Sequence, residues 1–211
     1  MPRSFEYHGH QRMMVFIDGN YIMERLRKIP ENREIDFVKD KFNSWPKRIY
    51  FPSMIELCFH PLLLESDISF MRPISYIFLS QNIPHPNTHD DFVSVLASMH
   101  LRVKVFPCKK QNGGYREKGV DVGLATEMLM NSFQKNTDLI SLVAADADYV
   151  PAIEAVLRNG QRIFLNTWGE AELSDLMKSR VDYYRNLKGL EENFLIPKNR
   201  GREAKGETHD D

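Results

Sequence analysis

Five short apolar runs punctuate the chain: Met13–Ile17, Ile74–Leu79, Arg102–Phe106, Leu139–Ala144 and Arg162–Asn166. Hydrophobicity within each run is nearly continuous rather than alternating. That is the pattern of strands buried on both faces. Between the runs, apolar residues recur at helical spacing. Asn20–Lys28 follows the first. Asp91–His100 follows the second and carries Phe92, Val95, Leu96 and Met99 in helical register. Val120–Phe133 repeats the pattern with Val120, Leu124, Met128 and Phe133. Pro151–Asn159 follows the fourth run and stops before Gly160, a residue suited to helix termination. Glu170–Ser179 follows the fifth. Strands alternating with helices predict an α/β chain with a mostly parallel, five-stranded central sheet covered on both sides.

Residues 30–72 interrupt this rhythm. Pro30, Pro46, Pro52 and Pro61 fall inside the stretch, with Trp45, Tyr50 and Phe51 among them. The segment is expected to be an insertion in a single domain spanning 1–197, with one helix near Ser53–Leu64. It is also the candidate surface for self-association or a protein partner. The tail 198–211 is polar, contains glycine and is nearly devoid of apolar residues, a composition expected to be disordered.

Composition narrows the picture only slightly. An apolar fraction of 42% in 211 residues is enough for a full core. Lys and Arg total 28 against 29 Asp and Glu, so any nucleic-acid site must be a local patch. Two cysteines, Cys58 and Cys108, argue against a disulfide scaffold or a structural zinc site. The N-terminal stretch has no apolar h-region, and no apolar run approaches the roughly 18 residues that span a bilayer. These features predict a cytoplasmic protein with no membrane association.

The chemistry lies at the ends of the apolar runs. In "MMVFIDGNYI" the first run ends in Asp18. In "LISLVAADADYVPAI" the fourth ends in Asp146 and Asp148. In "KGVDVGLATEML" Asp121 opens a helical pattern. Like charges this close together cost free energy unless a cation or a reaction needs them. In a parallel α/β sheet, ligands bind outside the carboxyl ends of the strands, where Asp18 and Asp146 both fall. Clustered carboxylates suit Mg²⁺ or Mn²⁺, which take oxygen ligands and fill their remaining positions with water. Such an ion offsets the repulsion, polarises a phosphoryl oxygen and lowers the pKa of a bound water. On this reading Asp18, Asp121 and Asp146 are direct or water-mediated ligands. Asp148 holds a second metal or orients the attacking water. Three of the four aspartates also have a local alternative: Asp148 and Asp121 as helix caps, and Asp18 as a turn residue before Gly19-Asn20.

The segments "VFIDGNYI", "KGVDVGLATEML" and "LVAADADYVPAIEAVLRNGQRIFL" resemble the three motifs of the NYN domain family, within the PIN-like nuclease superfamily. That pattern is an apolar strand ending in Asp-x-x-Asn or Asp-x-Asn, then Lys-Gly-Val-Asp, then a strand ending in Ser-Gly-Asp-x-Asp-Phe. The resemblance spans roughly residues 13 to 167, with segment 30–72 outside it. It implies a three-layer α/β/α PIN-like (Rossmannoid) fold and Mg²⁺- or Mn²⁺-dependent ribonuclease activity. The acidic roles fall on Asp18, Asp121, Asp146 and Asp148, with Asn20 beside them as a polar contact. Ala144-Ala145 stands where the pattern has Ser-Gly, and Ala147 separates the last two aspartates. Glu127 is a secondary candidate, because six residues beyond Asp121 is well off the same helix face.

Substrate contacts are sought in "KVFPCKKQNGGYREKG", where Lys104, Lys109, Lys110, Arg116 and Lys118 face a single acidic residue, Glu117. A flexible basic loop beside a metal site suits phosphate binding, and Tyr115 suits stacking on a base. Lys118 also matches the family motif. The alternative is a solvated surface loop. In "HPNTHDD", His85 and His89 have a spacing that binds metal on a helix, but Pro84 and Pro86 predict a loop. Trp45 and Trp168 are expected to pack in the core. Signatures of serine hydrolases, P-loops and dinucleotide-binding turns are absent from the sequence. Three functions stay open at this level: a ribonuclease, a PIN-like module that binds RNA or protein without cutting, and a related phosphoesterase or DNA nuclease.

Overall fold

A computed structural model describes residues 12–28, 37–40, 43–46, 50–65, 73–81, 86–111, 114–117, 119–169 and 175–194. The chain opens with strand β1 (Met13–Asp18) and helix α1 (Gly19–Arg27). A hairpin of β2 (Phe37–Asp40) and β3 (Asn43–Pro46) follows, then α2 (Phe51–Glu65) and β4 (Ile74–Ser80). Next come α3 (Pro86–Ser98), β5 (Leu101–Phe106) and a second hairpin, β6 (Cys108–Gln111) with β7 (Gly114–Glu117). Helix α4 (Val120–Phe133), β8 (Leu139–Val143), α5 (Val150–Arg158), β9 (Arg162–Thr167), α6 (Asp175–Arg180) and β10 (Tyr183–Asn186) complete it.

The central sheet has six strands in the order β10-β9-β8-β1-β4-β5, all parallel. The five expected apolar runs are all present. The sixth strand, β10, was not expected from the sequence. Its four residues, Tyr-Tyr-Arg-Asn, lack an apolar run because it is an edge strand with one paired side.

Alternation along β1 sorts the core. Met13, Val15 and Ile17 face one apolar cluster, closed by Ile22 and Met23 of α1, Phe51, Met54, Ile55 and Cys58 of α2, and Leu96 of α3. Met14 and Phe16 face the other, closed by Val120, Leu124 and Met128 of α4, by Val150, Ile153 and Val156 of α5, and by Met177 of α6. Both faces of β1 are thus dry, which explains a run with no polar residue before Asp18. Helices cover both sides, giving three α/β/α layers.

The chain moves from β1 outward to β4 and β5, then returns to the other side of β1 for β8, β9 and β10. The direction reverses between β1 and β8, and ligands bind in the crevice at such a point. The opposite end of this strand pair is clasped by Arg12 and Asp138. The Arg12 backbone N–H and Nε donate to Asp138 Oδ2 at 3.0 and 3.1 Å, and Nη2 donates to Oδ1 at 2.8 Å. The Asp138 and Leu139 N–H groups donate back to the Arg12 carbonyl.

Three local expectations change. Helix α3 begins at Pro86, five residues earlier than expected, because proline is well tolerated at a first helical position. The supposed basic loop is a hairpin, with Lys110 opposite Tyr115 and Lys109 opposite Arg116. Asn112-Gly113, between its strands, is the dipeptide that two-residue hairpin connections favour. Segment 30–72 contains the β2–β3 hairpin and α2, the latter close to the expected helix. Of the expected helix Glu170–Ser179, Asp175 onward is helical in α6, and residues 170–174 lie outside the described residues, as does the tail 198–211.

Removing a buried aromatic such as Phe16 costs about 3–5 kcal/mol, whereas an exposed ion pair contributes about 0.2–1 kcal/mol. Core burial therefore sets stability, and the Arg12–Asp138 clasp mainly sets register. Its hydrogen bonds to Arg12 hold the Asp138 carboxyl below the usual range. A depressed carboxyl contributes stability above its unfolded pKa and loses it as the pH falls. We predict that Asp138→Asn lowers the urea midpoint slightly at pH 7. The deficit against wild type should shrink below about pH 4. A deficit independent of pH would mean that the charge plays no part.

Candidate active site

Asp18 is the last residue of β1 and is only 7% exposed. Its Oδ1 accepts the Tyr21 backbone N–H at 3.0 Å and so caps the first turn of α1. Gly19 makes this turn fit. A Cβ there would lie 2.4 Å from Leu79 Cδ2 and 2.7 Å from the Phe78 carbonyl oxygen, so only glycine lets α1 start so close to β4. Asn20 then ties α1 to the end of β4, its Oδ1 accepting both the backbone N–H and the hydroxyl of Ser80 at 3.1 Å. The helix is also tied to β9, because the Tyr21 hydroxyl accepts the Trp168 N–H at 2.7 Å.

Asp121 arrives from the other helical layer. Gly119 adopts φ 95°, a left-handed conformation that glycine tolerates, and from it α4 begins. Gly123 lets the first turn approach the sheet, since a Cβ there would meet the Phe106 ring. This places Asp121 in the first turn of α4, exposed, above the carboxyl end of the sheet.

Tyr149 joins the two aspartates. Its ring is 1% exposed, and its hydroxyl lies 3.0 Å from Asp121 Oδ1 and 3.3 Å from Asp18 Oδ2. Burial first, and the two carboxylates next, push its ionisation above that of an ordinary tyrosine. It therefore stays protonated and acts as a donor. One phenolic proton serves two carboxylates. Sequence reasoning missed this residue. The available signal was the final position of the third motif, where the family pattern has Phe and this chain has Tyr.

Asp146 and Asp148 follow β8, next to β1 in the sheet, and both are exposed. Asp146 Oδ1 accepts the Asp148 N–H at 2.9 Å and caps the short 3-10 turn Ala147–Tyr149. That turn delivers Tyr149 to Asp18 and Asp121. The structure thus joins Asp18 and Asp121 through Tyr149, with Asp146 and Asp148 on the segment that carries this tyrosine. Among the described residues, no three His, Cys, Asp or Glu side chains are grouped so as to hold one ion. The Asp18–Asp121 pair is nevertheless a hard-oxygen donor set, and Mg²⁺ usually takes one or two carboxylates with water completing its shell. The pair fits a hydrated divalent ion.

The remaining candidates are more scattered. Glu127 lies 3.5 Å from Lys104 Nζ and accepts from Asn131, so it belongs to an ion pair on α4 and β5. Lys110, Tyr115 and Arg116 lie on β6 and β7, and only their backbone is described. Lys118 and His85 lie outside the described residues, and His89 is on α3 rather than in a loop. Trp168 packs in the core as expected, against Phe194. Burial pushes the Cys58 thiol up to about 12, so it is unreactive packing.

The family model of the NYN domain matches residues 12–188. The chain belongs to the NYN domain family, whose members are generally nucleases of the PIN-like superfamily that depend on a divalent metal. Among solved structures, it is similar to a protein of unknown function from Vibrio parahaemolyticus. The TM-score is 0.59 at 12% identity, covering 91% of this chain and 100% of that one. A likeness at that identity speaks for the fold alone. No curated protein matches. Among the described residues, no helix is long and apolar enough to cross a membrane.

We predict that Gly19→Ala destabilises the protein by about 1–3 kcal/mol, because the added Cβ meets the Phe78 backbone rather than a yielding side chain. Chemical denaturation would measure this. An unchanged midpoint would show that α1 shifts freely on β4 and does not fix Asp18.

Proposed function

We propose that this NYN domain is a Mg²⁺- or Mn²⁺-dependent ribonuclease that hydrolyses phosphodiester bonds of single-stranded RNA. The observation that carries the reading is the convergence of Asp18 and Asp121 on one hydroxyl at the carboxyl end of β1. Two carboxylates that share one neutral hydrogen-bond donor keep both negative charges, which a cation offsets. Asp18 and Asp121 hold the ion. Asp146 and Asp148, from the neighbouring strand end, orient the attacking water or hold a second ion. When bound, the metal stabilises the charge that develops on the phosphoryl oxygens and lowers the pKa of water. The β6–β7 hairpin leads into Asp121 and supplies Lys110, Arg116 and Lys118 for phosphates and Tyr115 for stacking. Asn20 fixes the strand end beside them. The same reading puts the protein in the cytoplasm, where Cys58 and Cys108 stay reduced.

A second reading, an RNA-binding domain that does not cut, is favoured by the Tyr149 hydroxyl already bonded to both carboxylates. The test is cleavage of a labelled single-stranded RNA with Mn²⁺, Mg²⁺ or EDTA, using wild type, Asp121→Asn and Asp146→Asn. Asn remains able to cap the turn at 146, so that variant keeps its fold. We expect cleavage with metal, none with EDTA, and a loss of roughly ten- to hundredfold or more in each variant, since groups that only support metal ligands already contribute that much. Undiminished activity in both variants would reject the mechanism. Metal binding without cleavage would favour the second reading.

The hairpin makes a separate prediction. In an Asp146→Asn background with EDTA, replacing Lys110 and Arg116 by Ala should weaken RNA binding. The slope of log affinity against log salt should fall by about 0.7 for each lost phosphate contact. An unchanged slope would remove the hairpin from the binding surface.

A further inference from the structure

We propose that Tyr149 is a positioning residue: its hydroxyl holds the Asp18 and Asp121 carboxylates together in the metal-free protein and competes with a divalent ion for them. The proposal rests on the metal-binding part of the reading above. Its basis is geometric. Tyr149 is fully buried, its hydroxyl is 3.0 Å from Asp121 Oδ1 and 3.3 Å from Asp18 Oδ2, and those acceptors come from different layers, Asp18 from the central sheet and Asp121 from helix α4. Without the hydroxyl, two anionic groups would face each other at the mouth of a dry sheet. Asp18, at 7% exposure, has little access to water to replace the lost donor. The phenol is thus an internal neutral substitute for part of what a cation supplies.

The two occupants differ in what they leave over. A hydrogen bond from one proton satisfies the pair only in part, whereas a divalent ion neutralises it. The ion therefore displaces or weakens both hydrogen bonds on binding, and its affinity is reduced by the stability of the hydroxyl bridge. The third motif of the family pattern ends in Phe, a side chain of the same shape with no hydroxyl. Tyr149→Phe is accordingly a conservative variant that keeps the ring in its cluster with Val150 and Ile153.

The experiment is thermal unfolding of the full chain in EDTA and in saturating Mn²⁺, with calorimetric titration of Mn²⁺. It compares wild type, Tyr149→Phe and Tyr184→Phe. The last variant removes a half-buried hydroxyl on β10, three strands from β1, that lies 3.0 Å from the Thr167 hydroxyl. We expect Tyr149→Phe to melt about 2–6 °C lower than wild type in EDTA. It should recover most of that difference in Mn²⁺ and bind Mn²⁺ roughly three- to tenfold more tightly. Tyr184→Phe should melt lower by the same amount in both conditions, with unchanged Mn²⁺ affinity.

A Tyr149→Phe protein that behaved like Tyr184→Phe would overturn the proposal and leave Tyr149 a packing residue. So would weaker Mn²⁺ binding, which would make the hydroxyl a supporter of the ion. Failure of both wild type and Tyr149→Phe to bind Mn²⁺ would reject the competition together with the metal reading. RNA cleavage measured alongside separates the two claims. Wild type that binds Mn²⁺, shows the expected Tyr149→Phe response and cuts no RNA would reject the ribonuclease and keep the proposal.

Discussion

Asp18 closes a strand whose six residues are all buried, and an ionised carboxylate in that position costs several kcal/mol unless donors meet it. The surroundings are arranged to meet that demand. The Tyr21 N–H comes from the first turn of α1, and the Tyr149 hydroxyl from the turn after β8. Each donor needs a backbone device of its own. Gly19 lets α1 press against β4, and Asp146 caps the short turn that swings Tyr149 inward. Helix α4 brings Asp121 to the same hydroxyl by way of Gly119 and Gly123. The two glycine-bearing motifs are thus instructions for close approach of helices to the sheet, and the aspartates ride on that approach.

This arrangement gives the site its electrostatic character. The sheet end is dry on the β1 side and open at Asp121, Asp146 and Asp148. A ligand with positive charge is favoured where two carboxylates share one neutral hydrogen-bond donor. On the proposed reading, a polyanionic substrate needs cations around that centre, and the basic hairpin before α4 is the nearest concentration of them in the sequence. Ion and substrate would then make opposite electrostatic demands on adjoining segments. A chain with nearly balanced charge can meet both only by local patterning, not by net charge.

Much of the fold was legible because it is local. Continuous apolar runs in Met13–Ile17 and Leu139–Ala144 can only be satisfied by burial on both faces, and the helical spacing of Val120, Leu124 and Met128 places one apolar stripe on the sheet, with Phe133, expected in the same register, left exposed. Strand β10 was not legible, because its four residues gain their order from pairing with β9 rather than from burying an apolar run. The hairpin in place of a loop was a misjudged turn signal: Asn-Gly between short stretches joins strands as readily as it marks a loop. For the site, the aspartates at strand and helix ends stood out as costly charges. Asn20 stood out as well, and its Oδ1 holds Ser80 and the end of β4.

The sequence by itself determined the parallel α/β architecture, the acidic residues at the carboxyl ends of strands and the family, because each is written in residue type and short-range spacing. Tertiary structure alone decided which of those acids meet. Asp18 and Tyr149 lie 131 residues apart, and Tyr149 and Asp121 lie 28 apart. Their convergence depends on β1 sitting between β8 and β4 and on α4 and α5 packing side by side on one face of the sheet. Hydrogen bonds of about 3 Å tolerate little error in that packing. No local pattern reports such a distance, so the hydroxyl that links the two carboxylates became visible only in the folded chain.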